Sequence, residues 1–188
     1  TCSGVTTFLL KHEIDTGNLI FQERVEIGPN MTAGELHDQL MYTGADLLVK
    51  TVEAMAAGDY PLQDQVGLLA GREPKHAPKI FKENMKVDWS LGLDAIFNHI
   101  RGLSPFPTAW TEFRNKKNGE VVSLKIFETE RIVKDHGKDV GLSTDNKTYL
   151  DVLVEGGVIR IKELQLSGKK RMKTEEFLRG FHIEDYSL

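Results

Sequence analysis

Two stretches of the chain carry residue types that could do chemistry. The first is Gly4-Val5-Thr6, followed by Glu13-Ile14-Asp15-Thr16-Gly17. The Asp at this turn between two strand-like runs is a candidate functional carboxylate. A plain hairpin uses the same Asp-Thr-Gly, with the Asp side chain bonding the backbone two residues on. The second stretch is Lys169-Lys170-Arg171-Met172-Lys173, behind Gly168. Four cations in five residues suit a phosphate backbone. A solvated charged loop has the same composition. Trp89, Phe106 and Trp110 are candidate stacking platforms for bases, or else packing aromatics.

Other chemistries lack their residues. The chain has no G-x-G-x-x-G, P-loop, H-E-x-x-H or G-x-S-x-G. His12, His37, His76, His99, His136 and His182 are scattered, with no pair at metal-ligand spacing. The single cysteine, Cys2, excludes an internal disulfide and a zinc–cysteine cluster. No metal is expected.

Each candidate needs elements to hold it. Val5–Leu10 is rich in β-formers, and Phe21, Val25 and Ile27 alternate with polar residues, so a strand is expected on each side of Asp15-Thr16-Gly17-Asn18. Thr32 and Glu35 form a capping box that predicts a helix start. Leu36, Leu40, Leu47, Leu48, Val52 and Met55 follow as one apolar face, and Gly58 ends the helix. From 61 to 85 the chain holds Pro61, Pro74 and Pro78 and has little periodicity, which reads as an extended connector. Ser90 is expected to cap a short helix with Leu93, Ile96, Phe97 and Ile100 on its apolar face, closed by Gly102. Strands follow at Ala109–Arg114, Val121–Glu128, Tyr149–Val154 and Val158–Leu164. Asn118-Gly119 and Glu155-Gly156-Gly157 are the hairpin signals. Short strands at this spacing predict a small barrel or sandwich. Thr174–Gly180 reads as a turn or two of helix.

Charge is unevenly placed. Residues 1–71 hold three basic against ten acidic groups, net −7, and residues 72–188 are net +3. A polyanion is therefore expected at the tail. At 40% hydrophobic and 28% charged, the chain has a soluble globular composition. No apolar run approaches the roughly 20 residues of a membrane span. The N-terminal stretch has no basic region before its short apolar run, so it does not read as a signal peptide. The chain starts at Thr1 and enters a strand pattern almost at once, so a piece of a longer protein is expected.

These residues also carry a resemblance. GVTTFLLKHEIDTGNLI is similar to the segment of folate-dependent formyltransferases that holds the Asp of an Asn–His–Asp catalytic set. KVDWS (Lys86 to Ser90), RGLSPFPTAW (Arg101 to Trp110) and LSGKKRM (Leu166 to Met172) resemble, in the same order, the pattern of the methionyl-tRNA formyltransferase family. The resemblance implies an α+β chain in three parts. Residues 1–60 would be a remnant of a Rossmann-like catalytic domain (two strands and a helix), 61–85 a linker, and 86–188 an OB-like barrel that helps hold tRNA. It implies 10-formyltetrahydrofolate as formyl donor and initiator methionyl-tRNA as partner, in a cytoplasmic monomer. Only the Asp of the catalytic set carries over, onto Asp15, so the chain alone is expected to be inactive. Lys169, Lys170, Arg171 and Lys173 become the expected tRNA contacts. A sugar-nucleotide formyltransferase, a 10-formyltetrahydrofolate hydrolase domain and a non-catalytic nucleic-acid-binding module are the alternatives.

Overall fold

The computed structural model describes residues 1–69, 71, 73 and 76–188. They form two units, Thr1–Lys79 and Ile80–Leu188. In the first, strands β1 (Cys2–Phe8) and β2 (Leu19–Glu26) pair antiparallel, with Cys2 opposite Glu26 and Phe8 opposite Leu19. Helix α1 (Ala33–Ala57) lies against both. Its N-terminus is the expected capping box. The Glu35 N–H donates to the Thr32 hydroxyl at 3.2 Å, and the Thr32 N–H donates to the Glu35 carboxylate at 2.8 Å. The Thr32 N–H, together with the Thr32 hydroxyl that donates to the same carboxylate at 2.9 Å, pulls the Glu35 carboxyl below its ordinary pKa.

The apolar residues of α1 divide between two faces instead of one. Leu47 and Thr51 are buried, with Leu36 and Leu40 half-buried on the same side. Leu48 and Val52 are 58% exposed, and Met41 and Met55 stand open beside them. The polar Thr51 sits on the packed side because its hydroxyl has partners there, Leu47 O at 2.7 Å and Thr7 Oγ1 at 2.9 Å.

The expected connector is more structured than its composition implied. Gln63 bridges to Leu19 through two backbone hydrogen bonds of 2.8 and 2.9 Å, and a one-turn helix, α2, spans Gln65–Leu69. A 3-10 turn covers Lys82–Met85 in the second unit. Arg72, Pro74 and Lys75 lie outside the described residues. The unit boundary falls after Lys79, inside the stretch read as one linker.

The second unit is a curled seven-stranded antiparallel sheet around helix α3 (Leu93–Leu103). The four expected strands are present as β3 (Ala109–Asn115), β4 (Val121–Val133), β6 (Leu150–Val154) and β7 (Gly157–Leu166). Three short ones join them: β5 (Gly141–Thr144), β8 (Met172–Lys173) and β9 (Tyr186–Ser187). The order is β5-β6-β7-β4-β3-β9, with β8 on β7, and the end strands β5 and β9 approach each other. The sheet is thus a nearly closed barrel. Closure is made by bending β4, whose register with β7 shifts between Ile126 and Thr129. Such a bulge turns a strand around a corner. One-turn helix α4 (Thr174–Leu178) lies against β7.

Helix α3 plugs the barrel. Leu93, Ile96, Phe97, Ile100 and Leu103 are all buried among the inward residues of the strands. Its cap differs from the expected one: Gly92, not Ser90, is the N-cap. The Ser90 hydroxyl and N–H are taken by Asp88, at 2.6 and 3.0 Å. The helix also passes through Gly102 and ends at Leu103. It starts on the β6–β7 turn, where the Leu93 N–H donates to Glu155 O at 2.9 Å. The turn needs its glycines. Gly156 has φ 83°, and a Cβ on Gly157 would lie 2.3 Å from Ile132 O.

Trp89 is a core residue and not a stacking platform. It is 8% exposed, and its indole N–H donates to the buried Thr111 hydroxyl at 2.8 Å. Thr111→Val removes that acceptor and strands a buried donor, so it is expected to lower unfolding free energy by about 1–3 kcal/mol. Thr111→Ser keeps the oxygen and should lose less. Denaturant unfolding of the two variants checks this; equal losses would show the hydrogen bond to be unimportant.

Candidate functional site

Asp15 sits on the loop between β1 and β2, and the loop is held from several sides. The Leu9 N–H donates to Asn18 O at 3.0 Å, and Lys11 Nζ reaches Asn18 Oδ1 at 3.0 Å. The Thr16 hydroxyl donates to Glu13 O at 3.0 Å. Gly17 packs onto Leu9 so closely that a Cβ would lie 1.4 Å from Leu9 O. Only glycine fits there. Asp15 itself has φ 58°, a left-handed conformation that Asp tolerates better than most residues.

Gln65 was not legible as part of this site. Its side-chain amide donates to Asp15 O at 2.9 Å and to Gly17 O at 2.6 Å. It thereby fixes the backbone on both sides of Thr16 from a segment fifty residues away. Nothing in the local sequence marks it, because the contact depends on the Leu19–Gln63 pairing next to it. The Asp15 carboxylate, by contrast, is exposed and accepts no hydrogen bond among the described residues. The Asp-to-backbone bond of the alternative plain-hairpin reading is therefore absent among the described residues. The loop is held by its neighbours, and the carboxylate is left free for a partner.

The basic run forms a hairpin. Strand β8 pairs Met172 with Leu164 and Lys173 with Glu163. Lys169 and Lys170 are at the tip, where the Lys169 N–H donates to Leu166 O and its carbonyl accepts from Gln165 Nε2. The four cations are not equivalent. Arg171 is paired with Glu163 and lies 4.3 Å from the Phe127 ring centroid. Lys170 Nζ is 3.2 Å from Glu176 Oε1, with both side chains largely in water. Lys169 and Lys173 are exposed and have no acidic partner among the described residues. Lys79, on the connector, is exposed; Arg72 and Lys75 of the same stretch are outside the described residues.

The remaining aromatics also separate. Trp110 is half-buried, donates to Lys82 O at 2.9 Å and is covered by Lys82 and Lys86 at 5.4 and 5.1 Å. Phe106 is 84% exposed. Its loop is tied to the barrel by the Ser104 hydroxyl, which donates to Phe127 O at 2.6 Å. Phe127 thus meets both the Phe106 loop and Arg171. Among the described residues no three His, Cys, Asp or Glu side chains gather as a metal site, and no helix is long and apolar enough to cross a membrane.

Comparisons with known proteins point to the family that the motifs resemble. Residues 79–182 match the family model described as formyl transferase, C-terminal domain. The chain is 46% identical over 187 residues to a methionyl-tRNA formyltransferase of Phocaeicola vulgatus, covering 98% of this chain and 57% of that protein. It is 44% identical over 186 residues to one of Bacteroides fragilis, again covering 98% and 57%. The chain therefore spans little more than half the length of these curated relatives. Among solved structures, its fold is similar to HypX from Aquifex aeolicus in complex with tetrahydrofolic acid. That match has a TM-score of 0.65 at 16% identity, covering all of this chain and 34% of HypX.

Gln65→Ala removes both bonds that tie the Asp15 loop to its neighbour. At roughly 1 kcal/mol per bond, about 2 kcal/mol for the two, local opening of the loop should become about thirtyfold easier. Hydrogen exchange of the Leu9 amide, whose N–H donates to Asn18 O across the loop, reads this. Unchanged exchange at that amide would show that the loop holds itself.

Proposed function

From the formyl transferase family, to which this chain belongs, we propose that it is the C-terminal part of a methionyl-tRNA formyltransferase. The reaction moves a formyl group from 10-formyltetrahydrofolate to the α-amine of methionine on initiator tRNA. The observation that carries the reading is identity of 44–46% to proteins of that name over 98% of the chain. The fold shared with a protein solved with tetrahydrofolic acid is in keeping with a folate donor. On this reading Thr1–Lys79 holds the end of a Rossmann-like catalytic domain, and Ile80–Leu188 is an OB-like tRNA-binding domain. The enzyme is a cytoplasmic monomer and uses no metal.

The folate supplies an electrophilic formyl carbon. Attack by the amine puts negative charge on the formyl oxygen, and the amine must lose a proton. Asp15 can do neither task as a lone carboxylate. Its role is to accept a hydrogen bond from a histidine N–H, fix that ring's tautomer and favour its charged form. Three features of the loop suit this. The carboxylate has no partner among the described residues, Gln65 fixes the backbone beside it, and Gly17 holds the loop's close approach to Leu9. The other two members of the Asn–His–Asp set have no counterpart in these residues.

On the second unit, Lys169, Lys170, Arg171 and Lys173 contact tRNA phosphates. Lys169 and Lys173 contribute most, because Arg171 and Lys170 already face Glu163 and Glu176. Phosphate contacts set affinity and register and carry little sequence information.

In the full-length enzyme, Asp15→Asn is expected to lower kcat by on the order of 10³ while moving KM little. Steady-state formylation of methionyl-tRNA measures both, and activity within tenfold of the unsubstituted enzyme would reduce Asp15 to a turn residue. Lys169→Ala with Lys173→Ala should weaken tRNA binding and flatten the log–log salt slope by about 1.5. Folate binding should not change. An unchanged slope and tRNA Kd, with the circular dichroism spectrum intact, would move the tRNA surface elsewhere.

A further inference from the structure

The barrel carries a cleft of about 560 Å³, lined by none of the residues of the basic hairpin, between the β4–β5 connection and the outward side of β6 and β7. That is the size range of small-molecule sites, about 300–1,000 Å³. Its central residue is Arg160. The guanidinium is gripped along one edge by Asp151, Nε to Oδ1 at 2.8 Å and Nη2 to Oδ2 at 2.9 Å. Asp151 is buried, and the pair is cross-strand between β6 and β7. The hydrogen bonds to Asp151 raise the Arg160 pKa. Arg160 also lies 5.2 Å from the Tyr149 ring centroid. An arginine fixed in this way presents its other edge, with Nη1, as a positioned donor. Nη1 has no partner among the described residues.

The donor and acceptor balance of the cleft is one-sided. Asp151 is occupied by Arg160. Asp135 Oδ1 accepts the Gly137 N–H at 3.2 Å. His136 is used at both nitrogens. The Lys138 N–H donates to Nδ1 at 3.2 Å, so Nε2 carries the proton and points it at Val154 O and Gly157 O, at 2.9 and 3.1 Å. This clamp fixes the β4–β5 connection against the β6–β7 turn. The donors, in contrast, are unspent. The Ser143 and Tyr149 hydroxyls, Arg160 Nη1 and the Lys134 and Lys138 ammonium groups have no hydrogen bond or ion pair among the described residues. Asp135 Oδ2 remains an open acceptor, but the free donors outnumber it, and such a site suits an acceptor-rich anion. The cleft is several times larger than an inorganic phosphate, and the Tyr149 ring with Leu153 and Val158 adds apolar wall.

We propose that this cleft binds a nucleotide, with its phosphate on Arg160, Lys134 and Lys138 and its nucleoside along the Tyr149 side. The phosphate ester is either that of a free nucleotide or one in an RNA chain. The site does not rest on the formyl-transfer reading, since it needs neither Asp15 nor a formyl donor.

The experiment is a titration of the isotopically labelled 188-residue chain with AMP, followed by amide chemical shifts. Saturable shifts confined to residues 132–138, 143 and 149–160 are expected. Lys134→Ala with Lys138→Ala should weaken AMP by about fivefold or more, since two partly exposed charge contacts are lost. Tyr149→Phe and Ser143→Ala each remove one hydroxyl donor from the cleft and should weaken binding less. Arg160 is left in place, because its removal would strand buried Asp151 and threaten the fold. Inorganic phosphate alone should shift the same residues more weakly. Transfer RNA that displaces AMP assigns the occupant to nucleic acid. Transfer RNA that leaves AMP bound assigns it to free nucleotide, whatever becomes of the tRNA reading of the basic hairpin. Absence of saturable shifts up to about 10 mM AMP, or an AMP affinity untouched by the double lysine variant, overturns the proposal.

Discussion

The bend in β4 at Phe127 is the constraint on which the second unit depends. A strand of thirteen residues must serve β3 along its first half and β7 along its second. It does so by skipping register between Ile126 and Thr129. Its partner bends with it. On β7, Ile159, Ile161 and Leu164 are all buried, a spacing of two and then three, so the inward parity shifts at the corner. A bulge leaves backbone groups out of the ladder, and here the loose carbonyl is used. Phe127 O accepts the Ser104 hydroxyl, which ties down the end of α3 and the loop holding Phe106. The Phe127 ring meanwhile takes Arg171. One irregularity thus closes the barrel, anchors the plug helix and seats the basic hairpin.

Legibility in the sequence followed the range of each interaction. The start of α1 needs only Thr32 and Glu35, three residues apart, and it was readable. So were the Asn118-Gly119 turn and the four long strands. Ser90 misled because a serine that can cap a helix can equally serve an Asp two residues before it, and Asp88 was there. The α1 face misled because the helix is apolar on two sides, and periodicity does not say which side meets a sheet. Strands β5, β8 and β9 are two to four residues long and exist through their partners, so no local pattern marks them. Trp89 and Phe106 are alike as residue types. Only the fold places one against Thr111 and leaves the other in water.

The candidate sites show the same division. Asp15 was found through a motif, but the reason it can be positioned lies in Gln65 and in the contact of Gly17 with Leu9. Both are tertiary. In the strand run Leu150–Val154, Asp151 is an acid among apolar neighbours, and composition alone would treat it as an outward surface residue. Its burial becomes tolerable only because Arg160 stands opposite it across the β6–β7 pair.

Counting cations therefore misjudges where an anion will settle. The basic run has the highest density of positive residues in the chain, yet Arg171 and Lys170 spend part of their charge on Glu163 and Glu176. The cleft has fewer cations, but Asp151 is already engaged and its arginine is immobilised. A mobile lysine must lose side-chain freedom when it binds, whereas Arg160 has already lost it to Asp151. The two surfaces are accordingly suited to different tasks. The hairpin, with exposed and exchangeable pairs, can accept a long polyanion in many registers. The cleft, with a fixed guanidinium edge beside a tyrosine ring, demands one group in one place. Strand β7 carries both, Arg160 near its start and Glu163 and Gln165 under the hairpin. The bend that closes the barrel therefore also sets the two surfaces on one strand.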